Sequence, residues 1–391
     1  MKYNFDEIID RKNTGSIKWD LDKEEDILPM WVADMDFKTA QPIINAIKKR
    51  VEHGIFGYAS VPDQYYEAEI NWWKKRHNFE IKKDWIEPTT GVIPSLSAVV
   101  QAFTNEGDKV LIQSPVYNYF NTSITNNKCE VLINNLIYSE GKYEIDFEDF
   151  EKKASEEKVK IFILCNPHNP GGRVWTKEEL TKLGEICLKH KVIILSDEIH
   201  RDLVYKNYIY TPIASISEEI LMNSITCTAP SKTFNIAGLK VSNIIIANEE
   251  LRKKVNRSLN INEVIEPNVF GIEALIAAYS EGEEWLNQML EYLEGNVNYL
   301  VDYVNENIPE LKVMIPEGTY LVWIDCQNLK ISAKKFGKRL LKEEKLRLSY
   351  GGVYGNGGKD YVRINIACPR ANLEEGFKRI LNLIRKIEVN N

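Results

Sequence analysis

Lys232 sits in SKTFNIAG, residues 231–238, directly after the apolar run SITCT. An amine just past a strand end can form an imine with an aldehyde, provided desolvation and nearby cations hold its pKa down. A lone loop lysine is more simply a solvated surface charge, so the chemistry rests on its company. Asp197 comes first. SDEIH, residues 196–200, ends the run KVIILS, and an acid placed there lies at the carboxyl edge of an α/β sheet, where ligands bind. Asp197 could pair with a pyridinium nitrogen and keep the ring electron-accepting. It could equally cap the next helix.

Two more segments join them. CNPHNPGGRVW, residues 165–175, follows the run KIFIL, and its two prolines and two glycines make a turn that places Asn169 to reach a ring hydroxyl. TTGVIPSLSAVVQAF, residues 89–103, reads as a Thr-Thr-Gly turn opening a helix, with Pro94 in its first turn. Such a start offers the N–H groups of Val92 and Ile93, with the helix dipole, to a phosphate. Alone it is only a turn; beside the lysine, the acid and the asparagine it becomes the phosphate end of a cofactor site.

The elements that must position these groups follow from the pattern. KVLIQ, CEVLIN, KIFILC, KVIILS, SITCT and NIIIAN are short, Val- and Ile-rich and nearly continuous in apolarity, as in strands covered on both faces. Helical stretches such as TKEELTKLGEICLKH alternate with them, which implies βαβ units and a mostly parallel sheet. Residues 1–40 read as an irregular arm ending in PMWVADMDF. Helices are predicted from about Pro42 to Val51 and around Tyr65, Tyr66, Trp72 and Trp73, the latter leading into a turn, EPTTG. A long amphipathic helix begins near Glu284 and ends before Pro309. The strands KVMI, TYLVWID and YVRINIA and the helix LEEGFKRILNLIRKI complete a smaller α+β unit. The expected division is an arm of 1–40 belonging to the small domain, a large domain of 41–284, and a small domain of 285–391.

Composition sets the outer limits. At 391 residues the chain suits two or three domains, and 44% hydrophobic with 27% charged residues is ordinary for a globular protein. A net charge of -7, without a run of Lys and Arg, disfavours a nucleic-acid partner. The six cysteines form no C-x-x-C pair and several lie in apolar runs, so buried free thiols of a reducing compartment are expected. No histidine spacing suggests a structural metal. The polar first twenty residues predict no signal peptide, and no apolar stretch reaches the ~18 residues of a membrane helix. A cytoplasmic protein is expected.

SKTFNIAG, SDEIH and NPHNPGGRVW, in the order they occupy in this chain, resemble fold-type I pyridoxal-phosphate enzymes of the class I/II aminotransferase superfamily. PMWVADMDF, GYASVP, APSKTFNIAGL, PEGTYLVWID and RINIACPR are similar to its MalY/PatB cystathionine β-lyase group of C–S lyases. The resemblance covers nearly the whole chain. It implies an α/β fold whose large domain has a mostly parallel seven-stranded sheet flanked by helices. It also implies that Lys232 carries pyridoxal 5'-phosphate as a Schiff base and then moves the substrate's α-proton. By the same resemblance Asp197 pairs with the ring nitrogen, Asn169 with the ring hydroxyl, and Tyr117 stacks over the ring. Ser231, Val92 and Ile93 match phosphate-binding positions. Tyr58 matches a tyrosine that reaches the neighbouring subunit's site, which implies a homodimer. Arg363 matches the arginine that grips the substrate carboxylate, a task suited to a bidentate guanidinium. Each has a plainer alternative: the tyrosines as core or interface aromatics, Arg363 as a surface ion pair.

Two positions depart from many aminotransferases, which carry tyrosine three residues after the ring aspartate and arginine eight after the lysine. Here these are His200 and Lys240. His200 matches the lyase group and either assists the ring hydroxyl or supports the Asp197 loop. Lys240 removes a bidentate phosphate contact. The expected activity is β-elimination from cystathionine or another S-substituted cysteine, giving a thiol, pyruvate and ammonia. The rivals are an aminotransferase and, further off, a regulatory protein that keeps the cofactor. A dehydrogenase is disfavoured because no G-x-G-x-x-G opens a helix.

Overall fold

All six Val- and Ile-rich runs become strands, and they lie in one sheet. The computed structural model describes residues 2–389 apart from 23, 25 and 265. Met1, Lys23 and Glu25 of the expected arm, Ile265 of the expected large domain and Asn390 and Asn391 of the expected small one therefore lie outside the described residues. The strands are β1 (Ile86–Thr89), β2 (Lys109–Ser114), β3 (Glu130–Asn135), β4 (Val159–Cys165), β5 (Ile193–Asp197), β6 (Ser224–Thr228) and β7 (Ser242–Ile245). Their order is β1-β7-β6-β5-β4-β2-β3. Only β7 runs antiparallel to its neighbours; every other pairing is parallel.

β1 corrects the sequence reading, which took EPTTG for a turn. Glu87, Pro88 and Thr89 pair with Ile244, Asn243 and Ser242. Proline lacks the donor a central strand needs, but β1 stands at the sheet edge, where that loss is harmless.

The continuous apolarity of the strands follows from cover on both faces. The helices used below are α1 (Gln41–His53), α2 (Asp63–His77), α3 (Val92–Phe103), α4 (Lys177–Lys189), α5 (Glu249–Ile261), α6 (Val269–Glu281), α7 (Glu283–Asn307), α8 (Ala333–Glu344) and α9 (Arg370–Val389). Val110 and Ile112 of β2 and Ile161 and Ile163 of β4 pack toward Leu96 and Val99 of α3 and Val255 and Leu259 of α5. Their alternates Leu111, Phe162 and Leu164 face Leu180, Leu183 and Ile186 of α4, as the two-residue period of a strand requires. α4 starts where its sequence says: Thr176 and Glu179 form a capping box that satisfies two otherwise orphaned backbone donors.

The second half of the chain builds an antiparallel sheet of β8 (Lys312–Met314), β9 (Leu321–Asp325), β10 (Ser349–Tyr350) and β11 (Tyr361–Asn365), in the order β8-β9-β11-β10. α7 buries Leu286, Met289, Leu293, Val297, Leu300 and Val304, with Leu290 and Val301 half-buried beside them. The amino-terminal arm is mostly irregular but firmly held. Leu28–Pro29 pairs in parallel with Leu346–Arg347. Met30 accepts from the Asn365 N–H, and the Asp36 N–H donates to Ala367, both at 2.9 Å. Asp36 is buried and accepts from Arg11, Lys18 and the Trp19 indole. These contacts explain the acidic and aromatic density of PMWVADMDF: it is a strap whose charges are met inside the protein.

The six cysteines are buried and unbridged. Among the described residues no helix is long and apolar enough to cross a membrane.

Candidate active site

β4, β5 and β6 end side by side, with Asp197 in register between Cys165 and Cys227. Just past these ends the chain supplies Asn169, His200 and Lys232, and a cavity of about 420 Å³ opens between them. Lys232, Asp197, Asn169, His200, Tyr117, Ser231, Val92 and Ile93 all line it. Arg363 stands directly behind this wall. Tyr58 does not join it; the residue is fully exposed between α1 and α2, near exposed Ile55 and Phe56.

Lys232 lies in a single helical turn, Pro230–Thr233, and Nζ donates to the Ala33 carbonyl at 2.7 Å. Burial, the largest influence, pushes its pKa down to about 8, helped by Arg363 and Lys240 and opposed by Asp34 and Asp197. Asp197 moves the other way. Burial pushes its carboxyl up to about 7, against the pull of the Ile199 N–H at 3.2 Å and of Lys232. His200 is buried with its Nδ1 unpartnered, and burial together with the Lys232 and Arg363 charges lowers its pKa to about 3, so the ring is neutral. Burial raises the Tyr117 phenol, which stacks on Tyr119 at 5.3 Å between centroids.

Arg363, on β11, is buried. Its Nη1 donates to Asn169 Oδ1 at 3.0 Å, its Nη2 to the Trp31 carbonyl at 2.8 Å, and its guanidinium lies over the Tyr354 ring at 4.9 Å. Because Asn169 accepts through Oδ1, its NH₂ end is the one left to donate.

At the far end of the cavity α3 begins at Val92, and the N–H groups of its first turn have no acceptor within the helix. Gly91 precedes them, where a Cβ would press on Pro94 at 3.3 Å. Ser231 and Lys240 share this wall. Lys240, at φ 52°, puts an amine here where a guanidinium would have put a fork. This end of the cavity thus combines a helix start with Ser231 and a lysine.

The donor set fits pyridoxal phosphate. A depressed amine suits its aldehyde, and a raised carboxyl with no basic side chain hydrogen-bonded to it suits a protonated ring nitrogen. The orphaned His200 Nδ1 and the Asn169 NH₂ suit its polar edge, and the helix start suits its phosphate.

Sequence reasoning missed the strap's part in the site. The Ala33 carbonyl accepts from Tyr320 Oη at 3.0 Å as well as from Lys232, and Asn365 Nδ2 donates to the Val32 and Asp34 carbonyls. PMWVADMDF was the available signal, but a motif does not say which of its backbone carbonyls point inward.

Comparison with known proteins places this geometry in context. The family model for aminotransferase class I and II matches residues 25–380. Cystathionine beta-lyase PatB of Bacillus subtilis is 44% identical over 381 residues, covering 96% of this chain and 98% of PatB. Cystalysin from Treponema denticola, whose crystal structure contains pyridoxal 5'-phosphate, superimposes with a TM-score of 0.96 at 36% identity, covering 99% of this chain and 100% of that one. A pyridoxal-phosphate-bound C–S lyase from Staphylococcus hominis, in complex with L-cycloserine, is similar with a TM-score of 0.91 at 36% identity, each chain covered to 98%.

Proposed function

The chain belongs to the aminotransferase class I and II family, and from that premise we propose that it is a pyridoxal-phosphate-dependent carbon–sulfur β-lyase acting on cystathionine or related S-substituted cysteines. The observation that carries the reading is the meeting of Lys232, Asp197 and Asn169 at three adjacent strand ends, in a chain similar to such lyases over almost its whole length.

When bound, pyridoxal phosphate supplies an aldehyde that bonds amines and a ring that withdraws the electron pair of a broken Cα–H bond. The protein does the rest. Val92, Ile93, Ser231 and Lys240 would hold the phosphate, and Tyr117 would lie against the ring. Asp197 would hold a proton on the ring nitrogen, and Asn169 with His200 would meet the ring's polar edge. Arg363 fixes the substrate carboxylate, presenting the amino acid in one orientation. Lys232 would bond the aldehyde and, as a neutral amine, would take the substrate's α-proton. The C–S bond then breaks with its electron pair leaving on sulfur as a thiolate. With one water consumed, the remaining carbon skeleton leaves as pyruvate and its nitrogen as ammonia.

The reading extends to a homodimer in which Tyr58 reaches the neighbouring site, and to a cytoplasmic protein without nucleic-acid or membrane partners. It also keeps the division into an arm of 1–40, a large domain of 41–284 and a small domain of 285–391, in line with the two sheets. The test is purified protein with L-cystathionine, following pyruvate and free thiol alongside the cofactor's absorbance. Equal pyruvate and thiol without an added keto acid is the expected result. Product that appears only when a keto acid is supplied would make the protein an aminotransferase.

A further inference from the structure

Beneath the cavity, and outside it, lies a carboxylate the mechanism does not use. Asp202 is buried five residues beyond Asp197 and two beyond His200. Its Oδ2 accepts from Thr233 Oγ1 at 3.0 Å, and Thr233 is the chain neighbour of Lys232. Its Oδ1 accepts from the Trp72 indole N–H and from His77 Nε2, each at 2.9 Å. Arg201 Nε lies 4.0 Å away. With three donors and a cation around it the carboxylate stays ionised, its pKa held far down although burial alone would raise it.

The arrangement matters because of what Lys232 stands on. Its helix is one turn of four residues, and one turn is not stable by itself. Its orientation comes from tertiary ties: Thr39 Oγ1 donating to the Phe234 carbonyl at 2.6 Å, and Thr233 donating to Asp202. Only the second tie joins the turn to the segment that runs on from Asp197 and His200.

We propose that Asp202 is a positioning residue that acts through Thr233, fixing the turn that carries Lys232 against the strand end that carries Asp197, so that amine and carboxylate keep their spacing across the cavity. The inference rests on the reading that Lys232 bonds the cofactor. α2, through Trp72 and His77, anchors the carboxylate's other oxygen, Oδ1.

The experiment compares Thr233→Val, Thr233→Ser and His77→Phe with wild type. T233V deletes the hydroxyl at nearly constant shape, and T233S restores it. H77F removes a donor from the same carboxylate without touching the lysine turn. Cofactor-free protein is mixed with pyridoxal phosphate and reduced with borohydride at intervals, and label at Lys232 is counted by mass spectrometry. Melting temperature, kcat and KM on L-cystathionine are measured in parallel. Because small misplacements of a reacting group are costly, T233V should label about tenfold more slowly and lose about tenfold in kcat at unchanged KM. T233S should match wild type. H77F should lower the melting temperature but label at the wild-type rate. Normal labelling and kcat in T233V, or equal losses in T233V and H77F, would overturn the proposal. Absence of label at Lys232 in wild type would overturn the lysine's assignment, and this inference with it.

Discussion

Arg363 and Asn169 are joined side chain to side chain, Nη1 to Oδ1 at 3.0 Å, across 194 positions of sequence. The group that would hold the substrate carboxylate is thus braced by the group that would touch the cofactor. Lysine cannot keep both that brace and a forked grip on a carboxylate. Arg363→Lys should therefore raise KM for cystathionine by roughly 10- to 100-fold, the worth of about 1.5–3 kcal/mol for a hydrogen bond to a charged group, with a smaller change in kcat. Steady-state kinetics decides it, and an unchanged KM would remove Arg363 from the substrate site.

Lys232 should set the pH dependence of cofactor capture. Only the neutral amine attacks an aldehyde, and its pKa is lowered from 10.5 to about 8. The rate at which cofactor-free protein combines with pyridoxal phosphate should rise with pH and level off above about 8. The same shift bears on stability. The folded chain gives up this proton before the unfolded chain does, so the cofactor-free protein gains stability as pH rises from about 8 toward 10.5. Lys232→Met should flatten that rise in a melting series, and an equally steep rise would show that another group is responsible.

Asp197 acts with the opposite sign. Its carboxyl is raised to about 7, so the stability it contributes is fully present below the usual carboxylate range near 4 and is lost as pH climbs through 7. Its neighbour Glu198, bonded to Tyr210 and Ser196, is raised to about 7 for the same reason, burial. Cofactor-free Asp197→Asn should therefore lose less stability than wild type between pH 4 and 7. Identical melting curves for the two proteins across that range would contradict it.

The strand ends could be read from the sequence because buried parallel strands write continuous apolar runs, and the residues after such runs fall at one sheet edge. Lys232, Asp197 and Asn169 were legible for that reason. β1 was not, since four residues containing Pro88 at a sheet edge carry neither alternation nor an apolar run. Nor were the partners of Ala33 and Trp31, because a backbone carbonyl leaves no trace in residue type. Asp202 reads as one more acid in SDEIHRD until Trp72, His77 and Thr233 are folded around it.

Tyr58 allows a test of whether sites are shared between subunits. Lys232→Ala alone should show no steady turnover, a loss of about 10³-fold or more, and Tyr58→Ala alone should bind the cofactor weakly. On the proposed homodimer, the mixed variants would form some dimers in which one site draws an intact Lys232 from one chain and an intact Tyr58 from the other. Pyruvate release by the mixture beyond that of either parent is the expected result. A mixture no better than its parents would place Tyr58 outside the partner's site.

The strap of residues 30–36 closes the site by bonding to Arg363, Asn365 and Ala367. A ribosome makes the strap more than three hundred residues before it makes those partners. The strap's ties to Lys232, Asn235 and Tyr320 can form sooner, but its last ties wait for β11. A product cut short before β11 would hold a lysine pocket whose strap lacks its ties to Arg363, Asn365 and Ala367. The order of synthesis and the order of docking thus differ: a segment made early is fully secured only once β11 exists.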